Sequence, residues 1–187
     1  DAMERREVFG TSGPRMTARF FGGWNFTPEI CADSGLVAKG YATGVPMGGD
    51  LPPRPEGAAA PVFVVSALRD AGIPEHPGGL LQRAQIIKGW FGSDSQFHQA
   101  IYDVAGGAND ASVDLDTCEP KGRGGSDSLC SVWSDPDFDP TQRAFYYVRA
   151  LENPTCRWST YDAIRLGIEP DPRVPATIRE RAWSSPL

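Results

Sequence analysis

The sequence predicts a mainly β fold: an antiparallel β-sandwich with one or two short helices and long loops. Three observations carry this expectation. Glycine (21) and proline (17) are abundant in a chain of 187 residues, and such punctuation divides it into short segments. Several segments alternate apolar and polar residues with the period of two that a half-buried strand requires. About seven of them recur at turn-bounded spacing, the pattern of a sandwich.

Residues 1–10 read as the last turns of a helix left from a preceding domain, with Val8 and Phe9 apolar and Gly10 just past its end. The sandwich is therefore expected over residues 11–187. After the Thr11-Ser12-Gly13-Pro14 turn, Met16, Ala18 and Phe20 alternate with Arg15, Thr17 and Arg19 in a strand running to Trp24. Val37 to Val45 reads as a Gly-rich strand. Pro61 to Ala67 is a continuous apolar run, expected to be a central strand buried on both faces. Asp70 to Gly79 reads as an irregular loop. Arg83 to Phe91 and Gln96 to Val104 form two strands joined by Gly92-Ser93-Asp94-Ser95, and Val113-Asp114-Leu115 starts another. Residues 105–142 are expected to be a long surface excursion. Arg143 to Glu152 alternates Ala144, Tyr146, Val148 and Ala150 against Phe145, Tyr147, Arg149 and Leu151. Ser159 and Asp162 resemble a capping box opening a short helix that Gly167 stops, and Arg179 to Ala182 reads as a turn.

The balance of 40% hydrophobic and 22% charged residues is globular, and the net charge of −6 argues against nucleic acid as a partner. No apolar run approaches the length of a membrane span. Four cysteines form no Cys-x-x-Cys pattern. Cys118 and Cys130 bracket a polar, Gly-rich stretch without a core of its own, which a crosslink would restrict; the alternative is two buried thiols. Cys31 with Cys156 follows by elimination. Disulfides imply an oxidising compartment, so the chain is expected to be periplasmic or secreted.

Catalytic chemistry finds little support. His76 lies in a Gly/Pro loop and His98 in a strand, with no metal-ligand spacing around either. Gly10-Thr11-Ser12-Gly13 is no nucleophile elbow. No catalytic residue and no cofactor is therefore assigned. Asp135, Asp137 and Asp139 stand two residues apart and are candidate calcium ligands, although the Gly and Glu of an EF-hand loop are missing. The densest candidate site is Arg149, Glu152, Arg157, Trp158 and Asp162, where guanidiniums, carboxylates and an aromatic leave one strand together. These residues form either an internal ion-pair network, Arg149–Glu152 or Arg157–Asp162, or a surface held ready for a partner.

Six blocks occur in a distinctive order: Arg5 to Arg15, Val45 to Leu51, Gln85 to Trp90, Asp135 to Asp139, Arg143 to Arg149 and Glu180 to Pro186. In this the chain resembles the C-terminal part of the bacterial family called domain of unknown function 3604. The resemblance implies an exported protein several times longer, related to metal-dependent phosphoesterases of the polymerase-and-histidinol-phosphatase type. Its divalent metal would lie in an N-terminal barrel, the implied partner of this domain, and no metal ligand of that barrel has a counterpart here. The function expected is an accessory domain that stabilises the barrel or walls its cleft. The alternative is a module that binds a carbohydrate or an anion.

Overall fold

In the computed structural model, which describes residues 1–187, the short alternating segments become nine strands of two sheets. They are β1 (Phe9–Thr11), β2 (Thr17–Gly23), β3 (Val45–Pro46), β4 (Val62–Leu68), β5 (Leu81–Phe91), β6 (Phe97–Gly106), β7 (Ser128–Ser134), β8 (Ala144–Glu152) and β9 (Arg181–Ser184). One sheet has the order β1-β9-β8-β5-β6 and the other β7-β4-β2-β3, and all pairings are antiparallel. Two helices, α1 (Leu36–Thr43) and α2 (Trp158–Leu166), and one 3-10 turn (Pro28–Ala32) complete the frame.

Alternation places the core. Met16, Ala18 and Phe20 from β2 and its approach, Phe63, Val65 and Ala67 from β4, and Tyr146, Val148 and Ala150 from β8 meet between the sheets. Removing this apolar area from water is the main stabilising term. Phe63 sits at its centre, stacked on Phe20 at 5.4 Å and against Tyr146 at 4.5 Å between ring centroids. On the other side of the second sheet, Phe21, Phe26, Ile30 and Val64 form a smaller cluster under the 3-10 turn and α1. The apolar run of β4 is thus buried on both faces, as its composition predicts.

Several local expectations need correction. Residues 2–6 form turns rather than a helix end, and Gly10 lies inside β1, opposite Trp183. Val37 to Thr43 is helical: α1 brings Gly40 so close to the Phe21 ring that a β-carbon there would stand 2.7 Å from it. The expected excursion over 105–142 contains β7, which pairs with β4 along its whole length. Residues 72–77 form a small ribbon, Gly72–Ile73 against His76–Pro77. The N-cap of α2 is Arg157, without a side-chain cap, so Ser159 and Asp162 build no capping box; Gly167 does stop the helix in the left-handed conformation. Arg179 to Ala182 leads into β9, the strand between β1 and β8.

The cysteines pair as Cys31–Cys130 and Cys118–Cys156, replacing the expected Cys118–Cys130 and Cys31–Cys156 bridges. The reason is the strand β7. Leu129 points into the core, so Cys130 faces outward beneath the 3-10 turn that carries Cys31. Cys118 is carried away to the corner between β8 and α2, where Cys156 lies. No cysteine is free. Two disulfides are consistent with an oxidising environment. No helix is long and apolar enough to cross a membrane.

Candidate functional site

The outer face of the five-stranded sheet carries the residues that strand alternation turns away from the core. Cross-strand register arranges them in rows. At one end Arg181 of β9, Leu151 of β8 and Arg83 of β5 stand abreast; the next row is Trp183, Arg149, Gln85 and Asp103. Tyr147, Ile87 and Ile101 follow, then Phe145, Gly89 and Gln99, and finally Phe91 with Phe97. A β-carbon at Gly89 would collide with the Phe145 ring, so only glycine lets that ring lie over the strand. Phe91, Phe97, Ile101 and Phe145 are exposed, Phe97 by 87%.

The second row is tightly ordered. Arg149 donates from Nε (2.9 Å) and Nη2 (2.7 Å) to Gln85 Oε1. Gln85 Nε2 donates in turn to Asp103 Oδ1 at 2.6 Å, and Arg83 pairs with the other oxygen of Asp103 at 2.8 Å. Arg149 therefore bonds across the sheet and does not reach Glu152. Alternation explains it: three positions apart on one strand, Arg149 faces outward and Glu152 inward. Arg157 and Asp162 are also not paired, since Asp162 lies on α2 near Arg165 at 4.0 Å. Trp158 is 71% exposed on the helix surface. Four of the five residues expected at this corner thus separate onto three surfaces, and Glu152 is buried.

One of those surfaces is a cleft of about 450 Å³ at the Arg181 end of the sheet. Leu151 forms part of its floor. Its walls come from Pro154, Arg157, Pro175 and the Thr177–Ile178 strand, and Arg179 and Arg181 close it. Thr155–Cys156 pairs with Thr177–Ile178, and the Cys118–Cys156 bridge ties this ribbon to the turn that carries Cys118. The Thr160 hydroxyl and the Arg157 N–H both donate to the Ala176 carbonyl, binding the cleft wall to α2.

The electrostatics of the cleft are one-sided. Three guanidiniums line it, no carboxylate does, and none of the three makes a salt bridge. Arg181 Nε is held by the Arg179 carbonyl at 3.0 Å, and Arg157 Nε is a buried donor without a partner. A buried, unpaired donor is costly. Arg157 belongs to the expected site. Arg179 and Arg181 do not; the alternation of Arg181 and Trp183 against Ala182 and Ser184 is the signal for a strand that presents Arg181.

The aspartates at 135–139 do a different job from the one expected. Asp135 is buried and pairs with Lys88 Nζ at 2.7 Å, while the Tyr146 hydroxyl donates to the same carboxylate at 2.7 Å. Lys88 also donates to the Asp137 carbonyl, and Tyr102 donates to Asp137 Oδ2. An ammonium thus occupies the place where calcium was considered, and no group of three His, Cys, Asp or Glu converges as a metal site. Burial, then the hydrogen bond to Asp137, pushes the Tyr102 hydroxyl up to about 12; burial and Asp135 push Tyr146 up as well. His98 lies against Asp94, and His76 sits on the exposed small ribbon.

Glu152 ends β8 on the inner side, only 1% exposed, with Oε1 unpartnered. Burial first, then the nearby charges of Glu180 and Asp70, raise its carboxyl to about 7 against a partial offset by Arg69. It is a buried acid, separate from the cleft.

Fold and site together define a disulfide-stapled β-sandwich with an arginine-lined cleft beside an aromatic sheet face. The chain belongs to the family described as protein of unknown function DUF3604, whose model matches residues 1–187. No curated protein and no solved structure shows significant similarity to it.

Proposed function

We propose that this is a non-catalytic accessory domain of an exported, metal-dependent hydrolase, and that its own contribution is to bind an anionic group in the cleft. The observation that carries the reading is the convergence of Arg157, Arg179 and Arg181 on one cleft without a carboxylate, in a chain of net charge −6. Guanidiniums recognise carboxylate, sulfate or phosphate through forked hydrogen bonds. Calorimetric titration with inorganic phosphate and sulfate at low ionic strength tests it. Wild-type protein should bind one anion per chain, and an Arg157→Ala/Arg181→Ala variant should not. Equal heats from both proteins would refute the assignment.

The apolar rows at the other end of the sheet favour a second role, as the surface by which the domain walls or stabilises the barrel that the family resemblance implies. Phe97→Lys and Phe145→Lys should leave the isolated domain folded and lower the melting temperature of the full-length protein. No change in the full-length protein would remove this role.

A further inference from the structure

We infer that the anion accepted by the cleft is carried on a sugar ring, so that the ligand class is an acidic saccharide; this rests on the cleft being an anion site. Trp183 stands next to the cleft on the outer sheet face, two residues from Arg181 on the same strand. The Arg181 guanidinium lies over its ring at 5.9 Å, and Arg149 is its cross-strand neighbour on β8. Two residues along a strand span about 6.6 Å, the scale of a pyranose ring with one charged substituent. A carboxylate or sulfate held by Arg181 in the cleft therefore places its ring beside that guanidinium, against the part of the indole it leaves open. The C–H face of a pyranose packs on such an aromatic surface while its rim hydroxyls stay free to hydrogen-bond.

The row around Trp183 suits those hydroxyls. A hydroxyl both donates and accepts. Arg149, fixed by Gln85, offers the guanidinium donors it has not used, and Asp103 in the same row offers carboxylate oxygens as acceptors. Tyr147 continues the face from Arg149 along β8, so a ligand longer than one residue has a second ring to follow. The fixed side chains make the surface ready before the ligand arrives, which lowers the ordering cost of binding.

Calorimetry with three probes tests the inference: sodium sulfate, trigalacturonate and the neutral maltotriose, each against wild-type, Arg181→Ala, Trp183→Ala and Trp183→Phe proteins. Trigalacturonate should bind wild type at least about tenfold more tightly than sulfate does, and maltotriose should not bind measurably. Trp183→Ala should lose about tenfold for trigalacturonate with sulfate unchanged, Trp183→Phe should recover part of that loss, and Arg181→Ala should weaken both anions. If sulfate binds but trigalacturonate is no tighter and Trp183→Ala is silent, the sugar assignment is overturned while the anion site stands. If neither anion binds, the anion site itself fails. Binding of maltotriose as tight as trigalacturonate would overturn the acidic requirement. Should Trp183→Ala not fold, the indole N–H signal of Trp183 in wild-type protein decides the matter. It should move clearly more with trigalacturonate than with sulfate, which reaches it only through Arg181; equal movement with both, or movement with neither, overturns the inference.

Discussion

Glu152 shows what a single residue costs at the edge of a core. Its carboxyl is raised from 4.5 to about 7, so the protonated form is the one the folded state favours. The stabilising contribution of this group is present below the unfolded value and is lost as pH rises through about 7. A shift of that size corresponds to at most roughly 3 kcal/mol. Denaturant unfolding should therefore find Glu152→Gln more stable than wild type at pH 8 and nearly equal to it at pH 4; a larger difference at the lower pH would contradict the assignment. Lys88 and Asp135 form a buried ion pair in which each neutralises the other. Asp135→Asn leaves a buried ammonium without its charge partner, and a loss of about 3–5 kcal/mol is expected. Added calcium should leave the melting temperature of wild type unchanged, since lysine already holds the carboxylate. Lys88 was readable only in part: it shares the inward register of Ile86 in the sequence, which calls for a buried counter-charge, but not which aspartate supplies it.

Elements differ in how openly the sequence announces them. Arg143 to Glu152 has a period of two across its whole length, and β8 follows it residue by residue. Leu36 to Thr43 is short and rich in Ala and Gly, so neither period stands out, and packing of Gly40 on Phe21 decides for a helix. β7 has serine at every third position, so no period of two stands out, and it is embedded in a loop-like neighbourhood, which hid it and with it the cysteine pairing. Each bridge now links different elements: Cys31–Cys130 closes a sequence separation of 99 and Cys118–Cys156 one of 38. On loop entropy these contribute about 4–5 kcal/mol each. Non-reducing peptide mapping should recover Cys31 with Cys130 and Cys118 with Cys156; a Cys118–Cys130 peptide would contradict the described fold. The Cys118→Ser/Cys156→Ser variant should lose anion affinity as well as stability, because it frees the ribbon that walls the cleft. The Cys31→Ser/Cys130→Ser variant should lose stability alone.

At the scale of the whole molecule, the sandwich brings two distant stretches together. Arg149 and Arg157 were legible as a dense charged corner at the end of one strand. Their partners were not: Arg181 opens a strand inserted between β1 and β8, Arg179 lies just before it, and only the sheet order sets Arg181 beside Leu151. Strand alternation turns Glu152 inward, and Asp162 lies exposed on α2 near Arg165, dissolving the ion-pair network that proximity in sequence suggested. What results is a cleft whose charge is opposite to that of the chain. The arginine Nε–Hε signals report directly on such a cleft. In an NMR titration of the wild-type protein with phosphate, the Arg157, Arg179 and Arg181 signals should move in parallel at one saturating site. Shifts spread evenly over surface arginines such as Arg54, Arg123 and Arg143, or a stationary Arg157 signal, would contradict an anion site in this cleft.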